Sequence, residues 1–92
     1  MAIFAVQYTY IDDAELVQKH RPEHREFLTK KHEEGHVLLS GPKVAEPAGA
    51  LIIVRGDSAD EVGKLMAGDP FNNYGIITDR SITEWNVVIG EL

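Results

Sequence analysis

The fold is decided by residues 36–55, which read HVLLSGPKVAEPAGALIIVR. Residues 36–45 and 49–55 are rich in aliphatic and β-branched side chains, and the short link between them predicts a β-hairpin. Pro42 lies inside the first of these strands. Because proline has no N–H group to donate to a neighbouring strand, we expect this strand at an edge of the sheet. The second strand has consecutive apolar residues, which predicts burial on both of its faces.

The segment before the hairpin predicts one strand and one helix. Residues 2–10 (AIFAVQYTY) are rich in aromatic and β-branched residues, a composition typical of a strand. Pro22 suits the first position of a helix, where its missing N–H group is no loss, and Gly35 suits the left-handed position that ends one. We therefore expect a helix from Pro22 to residues 32–34. Residues 12–20 are ambiguous.

The segment after the hairpin predicts a second helix and a last strand. Ser58 and Glu61 form a capping box, in which each side chain can satisfy a free backbone N–H group at the start of the helix. Asp69-Pro70 can begin a further short turn. The apolar residues at positions 76–77 and 82–89 predict the last strand.

The predicted order of elements is therefore β-α-β-β-α-β. With right-handed crossovers this order gives an α+β fold, the ferredoxin-like plait, with a four-stranded antiparallel sheet in the order 4-1-3-2. Strand two lies at an edge in this order, as Pro42 requires. Two helices cover only one face of the sheet, whereas strands one and three offer apolar side chains to both. We therefore predict a homodimer whose sheets pack face to face, a dimeric α+β barrel, and leave assembly beyond a dimer open.

Charge and composition exclude several classes of function. The 92 residues suit a single domain, and a net charge of −6 argues against nucleic-acid binding, which needs clustered positive charge. No cysteine is present, which excludes disulfides and thiolate catalysis. No signal peptide is visible, and the longest apolar run, residues 48–54, is too short to span a bilayer. We therefore expect a cytoplasmic protein without a membrane partner.

His24 and Asp69 are the first candidates for chemistry. Histidine exchanges protons near neutral pH and can act as a general acid or base. The alternative for His24 is an ordinary polar residue in the first turn of the predicted helix. An aspartate followed by proline is a common helix start, but a carboxylate can also fix the tautomer of a catalytic histidine. Because the two residues lie 45 positions apart, their spacing does not decide between these alternatives.

Three further features could contact a ligand. Ser40-Gly41-Pro42 could let the backbone approach a ligand closely, or could be an edge-strand bulge. Five of the nine basic residues fall between positions 19 and 31, where they form either a solvated helix face or a patch that attracts a small anionic substrate. Tyr8, Tyr74 and Trp85 could line a pocket, although aromatic residues in strands belong to the core more often.

Four histidines raise the question of a metal site. His20 and His24 are four positions apart, but Pro22 is expected to interrupt the helix between them. His32 and His36 lie on either side of a glycine and need not share a helix face. No HExxH motif, carboxylate-rich ligand set or glycine-rich phosphate loop is present. We therefore predict no metal site and no cofactor.

An ordered set of motifs resembles the YciI-like (YCII-related) family. It consists of Arg21-Pro22-x-His24-x-x-x-Leu28, Gly35, Ser40-Gly41-Pro42, Asp69-Pro70-Phe71 and a closing strand with Trp85. The resemblance covers essentially the whole chain. It implies a ferredoxin-like subunit in a dimeric α+β barrel, with His24 and Asp69 as a catalytic pair. It also implies that Ser40-Gly41-Pro42 lines the same pocket, and we add Arg21 and Tyr74 as predicted substrate contacts.

The resemblance implies a class of reaction as well. One activity known in the family is dehydrochlorination of a chlorinated hydroxyquinol in aromatic catabolism, and the barrel resembles that of muconolactone isomerase. We therefore predict a cofactor-independent lyase or isomerase that moves a proton on a small cyclic substrate, with His24 transferring the proton and Asp69 holding the imidazole. Two alternatives stay open. One is a non-catalytic homodimer that binds a small metabolite. The other is oxygen-dependent chemistry on quinols, which no specific residue in the sequence supports.

Overall fold

Seven helices and strands follow one another along the chain, and a computed structural model describes all 92 residues. They are β1 (Ala2–Tyr10), α1 (Ala14–Glu33), β2 (Val37–Pro42), β3 (Gly49–Gly56), α2 (Ala59–Met66), α3 (Pro70–Asn73) and β4 (Ile77–Glu84). The strands form one antiparallel sheet in the order β2-β3-β1-β4, which confirms the predicted ferredoxin-like α+β fold. No helix combines the length and the apolarity that a membrane crossing needs.

The edge position of β2 agrees with its proline, as predicted. β2 pairs with β3 alone, and Pro42 stands opposite Ala50 at the end of that ladder. Just beyond it, the N–H group of Lys43 donates to the carbonyl of Gly49 (2.9 Å) and closes the hairpin. An edge strand has only one neighbour to bond, which is why a proline is tolerated there.

The prediction that the first helix begins at Pro22 is wrong. α1 begins at Ala14, and the side chain of Asp13 caps it by accepting a backbone hydrogen bond of 3.1 Å. Pro22 therefore lies inside the helix, where it cannot donate to the carbonyl of Gln18. Both residues are exposed, so water can satisfy that carbonyl and the helix continues. His24 consequently lies near the middle of α1 and not in its first turn.

The last strand also differs from its prediction, because it lies earlier in the chain. β4 ends at Glu84, and the N–H group of Trp85 makes one more hydrogen bond to the carbonyl of Ile3 (2.8 Å). β1 itself begins at Ala2, so residues beyond this point have no partner strand. The apolar end of the chain is consequently left outside the sheet, with Ile89 94% exposed.

The core lies between one face of the sheet and the helices. Its largest fully buried residues are Phe4, Val6, Tyr8, Ile52 and Val54 from the sheet, Val62 and Met66 from α2, Phe71 from α3, and Ile76. α1 contributes Val17, His20, His24 and Leu28 as its buried residues. Two of these four residues are histidines, so the inner surface of α1 is partly polar and needs hydrogen-bond partners beneath it.

The opposite face of the sheet has no helix on it. The strand register places Leu39, Ile53, Ala5 and Thr83 side by side across the four strands. Leu39 and Leu51 on this face are 56% and 45% exposed. The uncovered face therefore carries apolar surface in contact with solvent.

Gly49 is needed where β3 passes closest to β1. A Cβ atom at this position would overlap the backbone carbonyl of Tyr8, whereas one at Gly41 would meet nothing within 4 Å. We expect Gly49→Ala to lower the free energy of unfolding by about 1–3 kcal/mol, because the two strands would have to move apart. Gly41→Ala, the matched control, should not lower it. Urea denaturation followed by circular dichroism measures both, and a Gly49→Ala variant as stable as wild type would contradict the close approach.

Candidate functional site

The carboxylate of Asp69 is the centre of a buried polar cluster. Asp69 precedes α3 and caps it, because its Oδ1 atom accepts a hydrogen bond from the N–H group of Phe71 (3.0 Å). The predicted helix start at Asp69-Pro70 is therefore confirmed. Asp69 is completely buried (0% exposed). An ionised carboxylate in such a place needs several donors around it, and two further side chains supply them.

Those donors are Tyr8 and His24. The hydroxyl of Tyr8 donates to Oδ2 of Asp69 (3.2 Å), and Nδ1 of His24 lies 2.9 Å from Oδ1 and 2.8 Å from Oδ2. Because an ionised carboxylate can only accept hydrogen bonds, Nδ1 of His24 carries the hydrogen and Nε2 is left as the acceptor of the neutral ring. Asp69 thus caps α3 and holds His24 at the same time, so the two interpretations of this residue are compatible.

Aromatic neighbours hold the plane of the His24 ring. It stacks on Phe71, with ring centroids 4.0 Å apart and planes 1° from parallel. Tyr10 meets Phe71 edge to face at 5.3 Å. Phe71 follows Asp69 by two positions, so the start of α3 supplies both the carboxylate that engages Nδ1 and the ring that orients the imidazole.

The second ring nitrogen of His24, Nε2, has no hydrogen-bond partner in the chain. Since no fully buried side-chain nitrogen or oxygen lacks a partner, Nε2 must keep access to solvent, although His24 is only 6% exposed. His24 lies in the wall of a cavity, which supplies this access. The ring can therefore exchange a proton with a molecule in the cavity while Asp69 holds its other side.

The cavity has a volume of about 490 Å³ and lies between α1 and β2. α1 contributes Arg21, His24, Arg25, Leu28, Thr29 and His32, β2 contributes all of its residues, and Tyr10 and Ala50 complete the wall. Among the predicted site residues, Arg21, His24 and the Ser40-Gly41-Pro42 segment thus meet at one cavity. Asp69 does not line the cavity but lies behind His24.

Tyr74, also predicted as a substrate contact, lies away from this cavity. Its ring stacks on His20 with centroids 3.5 Å apart, and its hydroxyl donates to Oε2 of Glu23 (3.1 Å), a bond that raises the pKa of Tyr74 above its ordinary value. Tyr74 follows the last residue of α3, at the opposite end from Asp69. These contacts fasten that end of α3 to α1, so the candidate site excludes Tyr74.

The expectation that Pro22 separates His20 from His24 is wrong, because α1 is continuous and both rings lie on its buried face. Each Nδ1 atom is engaged by a carboxylate, with Glu23 3.3 Å from His20 and Asp69 as the partner of His24. No group of three or more histidine, aspartate or glutamate side chains is arranged to hold a metal ion. The spacing of these two histidines therefore serves two separate hydrogen bonds.

Sequence reasoning misses Tyr10 as a cavity residue and assigns Tyr8 no role at Asp69. It includes Arg25 only among the five clustered basic residues that could attract an anionic substrate. Strand alternation could have indicated that the two tyrosines lie together, since Tyr8 and Tyr10 occupy the same face of β1 and that face packs beneath α1. Helix periodicity could have indicated that Arg25 lies beside Arg21, because it follows Arg21 by four residues and is therefore on the same side of α1.

Tyr8 and Tyr10 both remain protonated at neutral pH. Burial, and after it the charge of Asp69, raises the pKa of Tyr8 well above the ordinary value of 10 and the pKa of Tyr10 to about 12. Both hydroxyls consequently keep their hydrogens: Tyr8 donates its hydrogen to Asp69, and Tyr10 belongs to the cavity wall.

Solved structures that resemble this chain share its fold. The 5-chloro-2-hydroxyhydroquinone dehydrochlorinase TftG from Burkholderia phenoliruptrix AC1100, in complex with 2,5-dihydroxybenzoquinone, has a TM-score of 0.79 and 17% identity, covering 91% of this chain and 93% of that one. An antibiotic biosynthesis monooxygenase has a TM-score of 0.62 and 18% identity, covering 97% and 100%. A NIPSNAP domain protein from Burkholderia xenovorans has a TM-score of 0.52 and 11% identity, covering 96% and 95%. At these identities the likeness establishes the fold alone.

The family follows from the sequence comparison. No curated protein matches this chain. The YCII-related domain matches residues 1–86, a range that contains every helix and strand as well as His24 and Asp69. The resemblance drawn from the ordered motifs is thereby confirmed, and the chain belongs to the YCII-related domain family.

Proposed function

We propose that this protein is a cofactor-independent lyase or isomerase that moves a proton on a small cyclic, anionic substrate. The observation that carries the proposal is the environment of His24: its Nδ1 atom is held by the buried carboxylate of Asp69, while its Nε2 atom is unbonded and its ring lies in the cavity wall. The most concrete version is a dehydrochlorinase that acts on a chlorinated hydroxyquinol in aromatic catabolism.

A histidine in this state suits general acid–base chemistry. With Nδ1 bonded to Asp69, the neutral ring presents Nε2 as the base, and the carboxylate stabilises the imidazolium that forms when Nε2 takes a proton. The same Nε2 atom can then return the proton to a different atom of the substrate. Moving a proton between two positions of a bound ring is the step that an isomerase and an eliminating lyase have in common.

Loss of HCl from a chlorinated hydroxyquinol is compatible with this machinery. One hydroxyl proton moves to the ring carbon that bears chlorine, and a second hydroxyl proton is released. Chloride leaves with the bonding electron pair of the C–Cl bond, so the ring becomes a hydroxyquinone without an external oxidant. His24 would carry the first proton from oxygen to carbon. The dehydrochlorinase activity of TftG, which has the same fold, supports this substrate class by analogy.

The cavity provides the remaining contacts of the proposed site. Its volume of about 490 Å³ lies within the range of small-molecule sites and leaves room for a single substituted ring. We assign Arg21 to the recognition of a negatively charged oxygen, and the Ser40-Gly41-Pro42 segment to close backbone contact with the ring. The volume and the mixed lining of charged and apolar side chains support both assignments.

We further propose that the working protein is a homodimer. Its interface would be the uncovered face of the sheet, where Leu39 and Leu51 are exposed beside Ile53. A second copy of the same face is the simplest apolar partner for it, and a two-fold axis would bury both faces at once.

The central prediction concerns turnover of 5-chloro-2-hydroxyhydroquinone, measured as chloride release. His24→Gln should lower kcat by about 10² to 10⁴-fold, because the proton carrier is lost. Asp69→Asn should lower kcat by up to about 10⁴-fold, since the amide no longer fixes the tautomer of His24. Asparagine caps helices as well as aspartate does, so α3 should persist in this variant.

His36→Gln is the matched control, because His36 lies outside the cavity wall and its side chain makes no hydrogen bond. This variant should keep wild-type turnover. Full activity in His24→Gln would rule out the assignment of His24. A wild-type protein that binds ring compounds without any turnover would instead favour the non-catalytic metabolite-binding protein.

The proposed pair also requires Tyr8 to support the Asp69 carboxylate. At pH 7, Tyr8→Phe should reduce the free energy of unfolding by about 1–3 kcal/mol, because it removes a hydrogen bond to a buried charge. The pKa of Tyr8 is raised in the folded protein, so its stabilising contribution is complete below pH 10 and declines at higher pH, where the unfolded chain releases this proton first. The difference in the free energy of unfolding between wild type and Tyr8→Phe should therefore become smaller above pH 10. Urea denaturation at a series of pH values tests this, and a constant difference would count against the interaction.

The dimer is tested by a charge on the uncovered face. Leu51→Lys should give a monomer in analytical ultracentrifugation, because a lysine in the middle of an apolar interface is costly to bury. Val44→Lys, in the fully exposed β2–β3 turn, is the control and should leave the assembly unchanged. Detection of a wild-type monomer, or of a dimer for Leu51→Lys, would contradict the proposed interface.

A further inference from the structure

Tyr10 is a largely buried residue whose hydroxyl group has no hydrogen-bond partner in the chain. Tyr10 is only 7% exposed and lies in the cavity wall together with His24. Its hydroxyl makes no hydrogen bond to any other residue, although no fully buried polar side-chain atom in the protein lacks one. The hydroxyl must therefore keep access to solvent, and the cavity that Tyr10 lines is where a ligand or solvent can accept its hydrogen bond.

Two arginines on the same wall are also without partners. The salt bridges of the chain join His20 to Glu23, His24 to Asp69 and Lys31 to Glu34, and none of them involves Arg21 or Arg25. Both guanidinium groups are close enough to Tyr10 to oppose the effects of burial and Asp69 on the pKa of its hydroxyl. In a protein with a net charge of −6, this wall therefore concentrates unpaired positive charge beside a free hydroxyl donor.

We propose that Tyr10 is a further substrate-contacting residue, whose hydroxyl donates a hydrogen bond to an oxygen of the bound ring. Together with Arg21 and Arg25, it makes the cavity selective for ring compounds that carry an oxyanion, such as phenolates. This inference rests on the proposed function for the location of the site and the anionic substrate, and goes beyond it by naming Tyr10 and Arg25 as residues that recognise an oxyanion on the ring.

The chemistry of the proposed reaction explains why such a donor belongs there. When Nε2 of His24 withdraws a proton from a ring hydroxyl, negative charge develops on that oxygen. A donor already aimed at this position stabilises the charge without rearranging, and donors of this kind contribute about 10² to 10³-fold to a rate. Tyr10 suits the task because it stays protonated and because its contact with Phe71, the residue that orients His24, keeps its ring in place.

The probe for this inference is 4-nitrophenol, whose phenolate form is yellow, so that the charge state of the bound ring is read from its absorbance. Its methyl ether, 4-nitroanisole, has nearly the same shape and cannot ionise. Near neutral pH, wild type should bind 4-nitrophenol as the phenolate and more tightly than it binds the ether.

Tyr10→Phe should raise the Kd of the phenolate about 10- to 100-fold, the loss expected for a hydrogen bond to a charged group. The affinity for the ether should change by less than about two-fold, since this substitution keeps the aromatic ring and removes only the hydroxyl.

Arg25→Gln provides a second variant, which alters an exposed residue and should not impair folding. It should weaken phenolate binding and reduce the dependence of Kd on salt concentration. Lys64→Gln removes the same unit of charge from α2, away from the cavity, and should leave both properties unchanged.

Three results would overturn the inference: a wild-type protein that fails to bind the phenolate, an unchanged Kd in Tyr10→Phe, or an unchanged Kd in Arg25→Gln. None of these measurements needs turnover. A protein that binds phenolate through Tyr10 but releases no chloride would contradict the proposed reaction and leave this inference standing. Conversely, normal chloride release with Tyr10→Phe binding phenolate like wild type would contradict this inference alone.

Discussion

The rest of the structure depends on the hydrogen bonds that surround one buried carboxylate. An ionised carboxylate buried without donors would strongly destabilise the folded chain. Asp69 has donors from three elements: the Tyr8 hydroxyl on β1, the His24 ring on α1, and the backbone N–H group of Phe71 in α3. The sheet, the long helix and the short helix are thereby joined at a single point. Because the same bonds determine which nitrogen of His24 carries its hydrogen, the stability of the fold and the state of the candidate site have one physical origin.

The short helix α3 shows how this constraint is reinforced. A helix of four residues does not form in isolation, so α3 must be held by tertiary contacts. One end is held where Asp69 meets His24, and the other where Tyr74 stacks on His20. Both histidines belong to the buried face of α1, one turn of helix apart. α1 therefore acts as the fixed support against which the carboxylate is positioned, which explains why its inner face is not purely apolar.

Sequence reasoning could predict the parts of this arrangement that local chemistry determines. Pro42 indicated an edge strand, and Asp69-Pro70 indicated a helix start, because both signals depend only on which backbone groups can bond. The start of α1 could not be read from Pro22, since a proline inside a helix removes one hydrogen bond, and at an exposed position water can satisfy the carbonyl left unbonded. The end of β4 was equally unpredictable, because it depends on where the partner strand β1 begins.

The candidate site was predictable to a similar extent. The motifs of the family pointed to His24 and Asp69, and the structure brings these two residues into hydrogen-bond contact. Tyr74 shares the aromatic character of a pocket residue, yet its position at the far end of α3 directs it to His20. Tyr10 offers the opposite case, because a tyrosine in a strand looks like part of the core. Its place in the cavity wall and the absence of a partner for its hydroxyl distinguish it from Tyr8, and both are properties of the folded chain.

The proposed dimer would connect assembly and ligand binding through β2. Leu39 belongs to the uncovered face, where it stands opposite Ile53, and it also lines the cavity that holds His24. Since Leu39 is 56% exposed in the single chain, a second subunit on that face would cover it and exclude water from the neighbouring part of the cavity. Charges attract more strongly when water is excluded, so covering Leu39 would strengthen the attraction of Arg21 and Arg25 for an anion. On this argument the proposed dimer would cover the apolar face and would also create the drier surroundings in which the proposed proton transfer by His24 is most effective.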